Sequence, residues 1–360
     1  MSDVIENEIK NITLDQLLPG DILGFKGNRE DIISRLIMDL TGGSDVSHGA
    51  IYIQKKDNVL AESGEGGIHS RSMTDDKDNG REVYVLRHND AGPNGVEQIF
   101  PIAKDYVLQG LPYPYSDLIL LGLILIFKQH VKKNLVSSAV AEYLCLVAAE
   151  LKTIIEKNKT QGRHTMVCSS FVYQCYLDAS KECPNLKLDV ENGDVDFNDM
   201  PLLGANERPA RTLFDMYQGY VASHLDECKA NFKSQKNFVC AKKLRPKEEI
   251  LADLEKQLSI ETEDNLPNLA AGDASMFFDI IGAVKDVIQA MSEFMKGDFT
   301  FEEMLENARK QQAMFVTPND LVKHLANATL LGIAKVHCAS DPYDANFKYC
   351  CDFLGSDSAK

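Results

Sequence analysis

Residues 166–176, MVCSSFVYQCY, place a cysteine where a helix should begin. Ser169 and Ser170 suit a first helical turn, where side-chain oxygens can serve backbone N–H groups that lack an intrahelical partner. Phe171, Val172, Cys175, Tyr176 and Ala179 then recur at i, i+1, i+4, i+5 and i+8, one apolar helical face. A cysteine at a helix N-terminus meets the positive end of the macrodipole, which favours thiolate over thiol. The plainer reading of any one cysteine is a small buried side chain. Cys175 fits that reading, since it lies two turns, about 10 Å, further along the helix. Cys168 differs because a stretch far upstream supplies a base.

That stretch is SHGAIYIQKKDNVLAES, residues 47–63. Residues 50–53 are strand formers, 55–58 form a turn, and 59–63 return as a second strand. His48 opens the first strand and Glu62 closes the second. Their even separation lets both face one side of a hairpin, although sequence alone does not fix the register. A carboxylate beside an imidazole holds its tautomer and stabilises the imidazolium, and an imidazole beside a thiol makes the nucleophile. Cys168, His48 and Glu62 are the expected nucleophile, base and orienting group. The rivals are His164, four residues before Cys168, His69 just past the hairpin, and Glu65 for the carboxylate. His88, His130, His224, His324 and His337 lack a strand-start context.

GDILGF at 20–25, SHGAIYI at 47–53, LAES at 60–63, VCSSFVYQCY at 167–176 and VTPNDLVKHL at 316–325, in that order, resemble the permuted NlpC-type papain-like cysteine hydrolases. Within that group the chain looks similar to the YiiX/YaeF-like amidases, with lecithin:retinol acyltransferase a more distant cousin. Histidine precedes cysteine, as in the permuted enzymes. The likeness covers residues 14–90, 111–177 and 316–335. It implies an α+β, circularly permuted papain-like fold with a small antiparallel sheet packed on helices. Residues 1–180 and 315–340 would form the catalytic domain, 181–314 a mostly helical insertion acting as a cap, and 341–360 a tail. The implied activity is that of an amidase or peptidase working through a thioester. A lipid acyl hydrolase or acyltransferase is an alternative, and a non-catalytic binding protein on the same scaffold is another. The oxyanion would be held by the backbone N–H of Cys168 at the helix start. Ser47, Tyr113 and Tyr115 are candidates for a second donor or for substrate contact. No cofactor is implied.

Composition narrows the partners. The chain has 360 residues and a net charge of −16, from 54 acidic against 38 basic residues, which disfavours nucleic acid. The expected partner is a peptide, amide or lipid acyl substrate; oligomeric state stays open. The N-terminus has neither a basic nor an apolar region, so no signal peptide is expected. The longest apolar run, LILLGLILIF at 118–127, is too short to span a bilayer and is expected to be a buried helix. Nine cysteines without a secretion signal suggest free thiols and a cytoplasmic setting, unless other machinery exports the chain. There is no CxxC or HExxH, and Cys350 and Cys351 are adjacent, so no metal site is expected.

Further strands are expected at 22–25 and 82–87. Helices are expected at 31–40, 96–109, 118–127, 139–155, 245–262, 274–295 and 301–313. The aromatic LPYPY at 111–115 reads as a rigid turn. The glycine-rich stretch 64–67 lacks the Lys-Ser/Thr of a phosphate cradle and reads as a flexible loop. Residues 183–211 read as loop-rich, and 335–360 as tail.

Overall fold

The computed structural model describes residues 10–64, 67–74, 80–109, 116–128, 136–158, 167–191, 193, 212–232, 240, 244–259, 274–296, 298–313 and 315–336. Seven strands form one sheet: β1 (Asn11–Ile12), β2 (Ile22–Lys26), β3 (Val46–Gln54), β4 (Val59–Gly64), β5 (Gly67–Ser72), β6 (Glu82–His88) and β7 (Ala328–Lys335). Their order is β1-β7-β6-β2-β3-β4-β5. Every pair is antiparallel except β1 with β7. The chain is therefore α+β, but the sheet is mixed and larger than the small antiparallel one expected. Gly64 and Gly67, at the two ends of the expected loop, are strand residues that pair with each other, and residues 65 and 66 lie outside the described residues.

The helices are α1 (Ile32–Leu40), α2 (Ile99–Leu108), α3 (Ser116–Phe127), α4 (Ser138–Asn158), α5 (Cys168–Ala179), α6 (Leu213–Ser223), α7 (Leu225–Asn231), α8 (Lys247–Leu258), α9 (Ala274–Lys296), α10 (Phe301–Ala313) and α11 (Pro318–Lys323). None is long and apolar enough to cross a membrane.

Three apolar clusters organise these elements. On one side of the sheet, Phe171, Val172, Cys175 and Tyr176 of α5 pack on Ile51 and Ala61, together with Ala103 of α2 and Leu321 of α11. A separate cluster joins Leu17, Leu23, Phe25, Tyr52, Leu60, Val83 and Val85. Alternation along the strands explains the split, since Ile51 and Ala61 are out of step with Tyr52 and Leu60.

The third cluster is helical. It joins α3, α4, α6, α8, α9 and α10, and reaches Leu36 and Ile37 of α1 and Cys168 itself. Helix α3 is apolar around its whole circumference from Leu118 to Phe127, apart from Gly122, which suits an element enclosed on all sides. Tyr143 of α4 donates to the Leu118 carbonyl at 2.7 Å. The boundary expected at residue 180 thus separates elements that share one core. Cys145 of α4 is bonded to Cys240, which corrects the expectation that the cysteines are all free thiols. Cys168, Cys175, Cys183 and Cys228 are free. Cys338, Cys350, Cys351 and the expected tail from 337 onward lie outside the described residues.

Candidate active site

The β3–β4 turn sets the register on which the site depends. Asp57 and Asn58 take positive φ, 62° and 48°, which short polar side chains tolerate better than most. The returning strand then sets Glu62 opposite Ala50. His48, two residues before Ala50, shares a face with Glu62. Its Nε2 lies 2.9 Å from Glu62 Oε2.

Helix α5 brings in the thiol. Val167 is the N-cap, in extended conformation, and Cys168 is the first helical residue. No side-chain oxygen caps this end, so Ser169 and Ser170 do not serve the role expected of them. Ser169 Oγ is buried and finds no hydrogen-bond partner among the described residues. Gly49, beside His48, faces the start of α5. A Cβ there would stand 3.5 Å from Ser169 Cα and 3.0 Å from Leu321 Cδ1. The close approach of β3 to α5 brings His48 next to Cys168. One ring nitrogen of His48, the Cys168 Sγ and a carboxylate oxygen of Asp117 all lie within 4.8 Å of one another. The nitrogen is Nδ1, because Nε2 is held by Glu62 and Nδ1 lies 4.0 Å from Asp117 Oδ1.

Glu62 is buried, at 2 % exposure. Arg71 on β5 donates to it twice, Nε to Oε1 at 2.6 Å and Nη2 to Oε2 at 3.0 Å. His69, directly across the strand pair, brings Nε2 to 3.2 Å from Oε1. Burial alone would push the Glu62 carboxyl up, but bonds to His48, His69 and Arg71 outweigh it and hold it well below the usual carboxylate range. Burial would likewise push His48 down. The neighbouring Cys168 sulfur, and then Glu62, outweigh that and push it up to about 10. Cys175, buried on the same helix without such a partner, is pushed well above the ordinary thiol range by burial.

Sequence reasoning named Cys168, His48 and Glu62, and these three sit together. It missed Arg71 and Asp117, and treated His69 only as a rival base. His69 and Arg71 are two apart on β5, on the face of Glu62, a pattern visible only once 67–72 is known to be a strand. An acidic residue in a first helical turn, such as Asp117, is commonplace and carries no signal of its own. Ser47 lies at an irregularity in the β2–β3 register, and its Oγ accepts from Ser34 Oγ at 2.8 Å. Tyr113, Tyr115, Glu65, His130, His164 and His337 lie outside the described residues. His88 is a structural group: its Nδ1 accepts from Asp90 N–H, and Asn327 bonds its Nε2. His224 and His324 close helices α6 and α11.

The arrangement can hold a thiolate against an imidazolium whose far nitrogen is tied to a buried carboxylate. Comparison of the chain with known families, with curated proteins and with solved structures finds no match.

Proposed function

We propose that the chain is a cysteine hydrolase acting on an amide or short peptide, built as a permuted NlpC-type papain-like enzyme. The observation that carries this reading is the alignment of Glu62, His48 and Cys168, with Glu62 on Nε2 and the thiol on the Nδ1 side. The Cys168 thiolate attacks the carbonyl carbon, and its C–S bond forms as the carbonyl oxygen takes the electron pair. The first-turn N–H of Cys168 stabilises that oxyanion. The oxyanion returns its electron pair as the C–N bond breaks, the His48 imidazolium gives its Nδ1 proton to the leaving amine, and the thioester remains. Water, deprotonated by His48, then releases the acid and restores the thiol.

Cys168 also belongs to the apolar cluster of α3 and α4. Those surroundings suit an alkyl chain, so the second reading is a lipid acyl hydrolase or acyltransferase, in which an alcohol or amine replaces water. The experiment is incubation of wild type and Cys168→Ala with mixed acyl peptides, N-acyl amides and phospholipids, followed by mass spectrometry of protein and products. An acyl adduct on Cys168 with turnover in wild type alone is the expected result, and the acyl group identifies the substrate class. Turnover that persists in Cys168→Ala overturns the mechanism. Binding of a substrate without adduct or turnover would leave a binding protein on this scaffold.

A further inference from the structure

The third member of the cluster at Cys168 has no part in acyl transfer. Asp117 enters from α3, a different element from either β3 or α5, and its side chain is 54 % exposed. We propose that Cys168 Sγ, His48 Nδ1 and Asp117 form a site for one zinc ion, and that the bound ion caps the nucleophile. The inference rests on the reading of Cys168 as a reactive thiolate.

The donor set is the first reason. Thiolate, imidazole and carboxylate are the ligand types zinc takes, and three protein ligands leave its fourth tetrahedral position to water. Distance is the second. Tetrahedral zinc with bonds of about 2.0–2.3 Å needs its donors about 3.3–3.6 Å apart. The three atoms already lie within 4.8 Å, and the Nδ1 to Asp117 separation is 4.0 Å. An exposed carboxylate can rotate to close the difference without disturbing a core. The third reason is the shell behind the ligands. A zinc-bound histidine ordinarily directs its other ring N–H to a carboxylate, which fixes the tautomer and strengthens the ligand. Glu62 holds that place on Nε2 and is itself fixed by Arg71.

Charge also favours the ion. The starts of α3 and α5 both present positive dipole ends, which oppose a cation. Cys168 thiolate and Asp117 supply two negative charges against them, with Glu62 one step behind. Coordination releases the single proton shared by Cys168 and His48 to solvent, and no oxidation state changes. With one lone pair on zinc the sulfur is a weaker nucleophile, and with Nδ1 ligated His48 has no proton to give the leaving amine, so acylation is suppressed.

Sequence spacing expects no metal here because the ligands come from positions 48, 117 and 168, on three elements. The test uses the full-length protein and Co2+ as a spectroscopic stand-in, with zinc affinity read by chelator competition. Cobalt should give a sulfur-to-metal charge-transfer band and the strong visible bands of a tetrahedral ion. Zinc should displace it at one equivalent, and zinc-loaded protein should form no acyl adduct at Cys168 until chelator is added. The band should be lost in Cys168→Ser. Zinc affinity should fall by about 10–100-fold in Glu62→Gln and by at least about 100-fold in Asp117→Asn. A missing band, a band that survives Cys168→Ser, affinity unchanged in Asp117→Asn, or acylation that proceeds with zinc bound would each overturn the proposal. The two readings fail separately. An acyl adduct without a cobalt band removes the metal site alone. A cobalt band in a protein that never acylates removes the thiol mechanism and leaves a metal centre.

Discussion

Glu62 keeps its charge at a depth where burial alone would neutralise it, and the reason lies in three neighbours. His48, His69 and Arg71 all direct nitrogen at its two oxygens. The charge then stabilises the imidazolium that forms when His48 takes the thiol proton. Glu62→Gln preserves the shape and removes the charge. Turnover should fall by about 10²–10⁴ with little change in substrate binding, read as kcat against KM. An unchanged kcat would leave a dyad of Cys168 and His48. His48 itself carries a pH signature. Imidazole in the unfolded chain titrates near 6.5, and in the fold His48 is pushed up to about 10. Its charge therefore stabilises the fold fully below about 6.5, and that contribution is lost as pH rises through about 10. Urea unfolding across this window should show the loss in wild type and a smaller one in Cys168→Ala, where the sulfur that raises His48 is gone. Equal slopes for the two proteins would mean that no thiolate faces His48.

At the scale of elements, what was legible followed the strength of the pattern. The apolar face read from residues 171–179 is the face α5 buries, and the limits of α10 match its expected helix, because 3.6-residue periodicity survives any tertiary setting. His48 and Glu62 were legible for a similar reason: an even separation across a turn is a strand property. Strand β5, GIHSRS, was not, since its alternate positions carry His69 and Arg71, which serve Glu62 and not a core. Strand β7 was missed because Gly332 interrupts it, at φ 154°, where a Cβ would collide with the Lys10 carbonyl. Helix α11 lies within VTPNDLVKHL, a segment quoted for its likeness but not read as a helix, and its seat on the sheet depends on another glycine. A Cβ on Gly24 of β2 would stand 2.3 Å from Val322 Cγ2, and valine has little rotameric freedom to yield. Gly24→Ala should destabilise by about 1–3 kcal/mol in urea unfolding. Gly219, inside α6, has nothing within 4 Å of its would-be Cβ, so Gly219→Ala should stabilise by about 0.5–1 kcal/mol. Gly24→Ala that leaves stability unchanged or raised would place the packing of α11 elsewhere.

Over the whole molecule, sequence order and core membership diverge. The sheet is finished by β7, far along the chain from β6, its partner. Helices α3 and α4 precede the thiol in sequence yet bury their apolar surface against helices that follow it. A likeness found motif by motif sees the elements that carry chemistry and not the ones that only cover them. The consequence can be tested by replacing residues 181–314 with a short flexible linker. Val140, Leu144, Val147 and Leu151 of α4 would lose the cluster they share with Ile280, Val284, Val287 and Ile288 of α9. Exposing a buried aliphatic side chain costs about 1.5–3 kcal/mol. These four alone would reach about 6–12 kcal/mol, against a total stability of about 5–15 kcal/mol for an ordinary domain. The shortened chain should therefore unfold without a cooperative transition and bind a hydrophobic dye. The bond from Cys145 to Cys240 would be absent too, removing a covalent tie between α4 and the excised segment. Acylation at Cys168 should disappear with the fold, since the thiol belongs to the same cluster as α3 and α4. A sharp transition with a reactive Cys168 would instead show that the helices form a separable cap, and that the division at residue 180 marks a true domain limit.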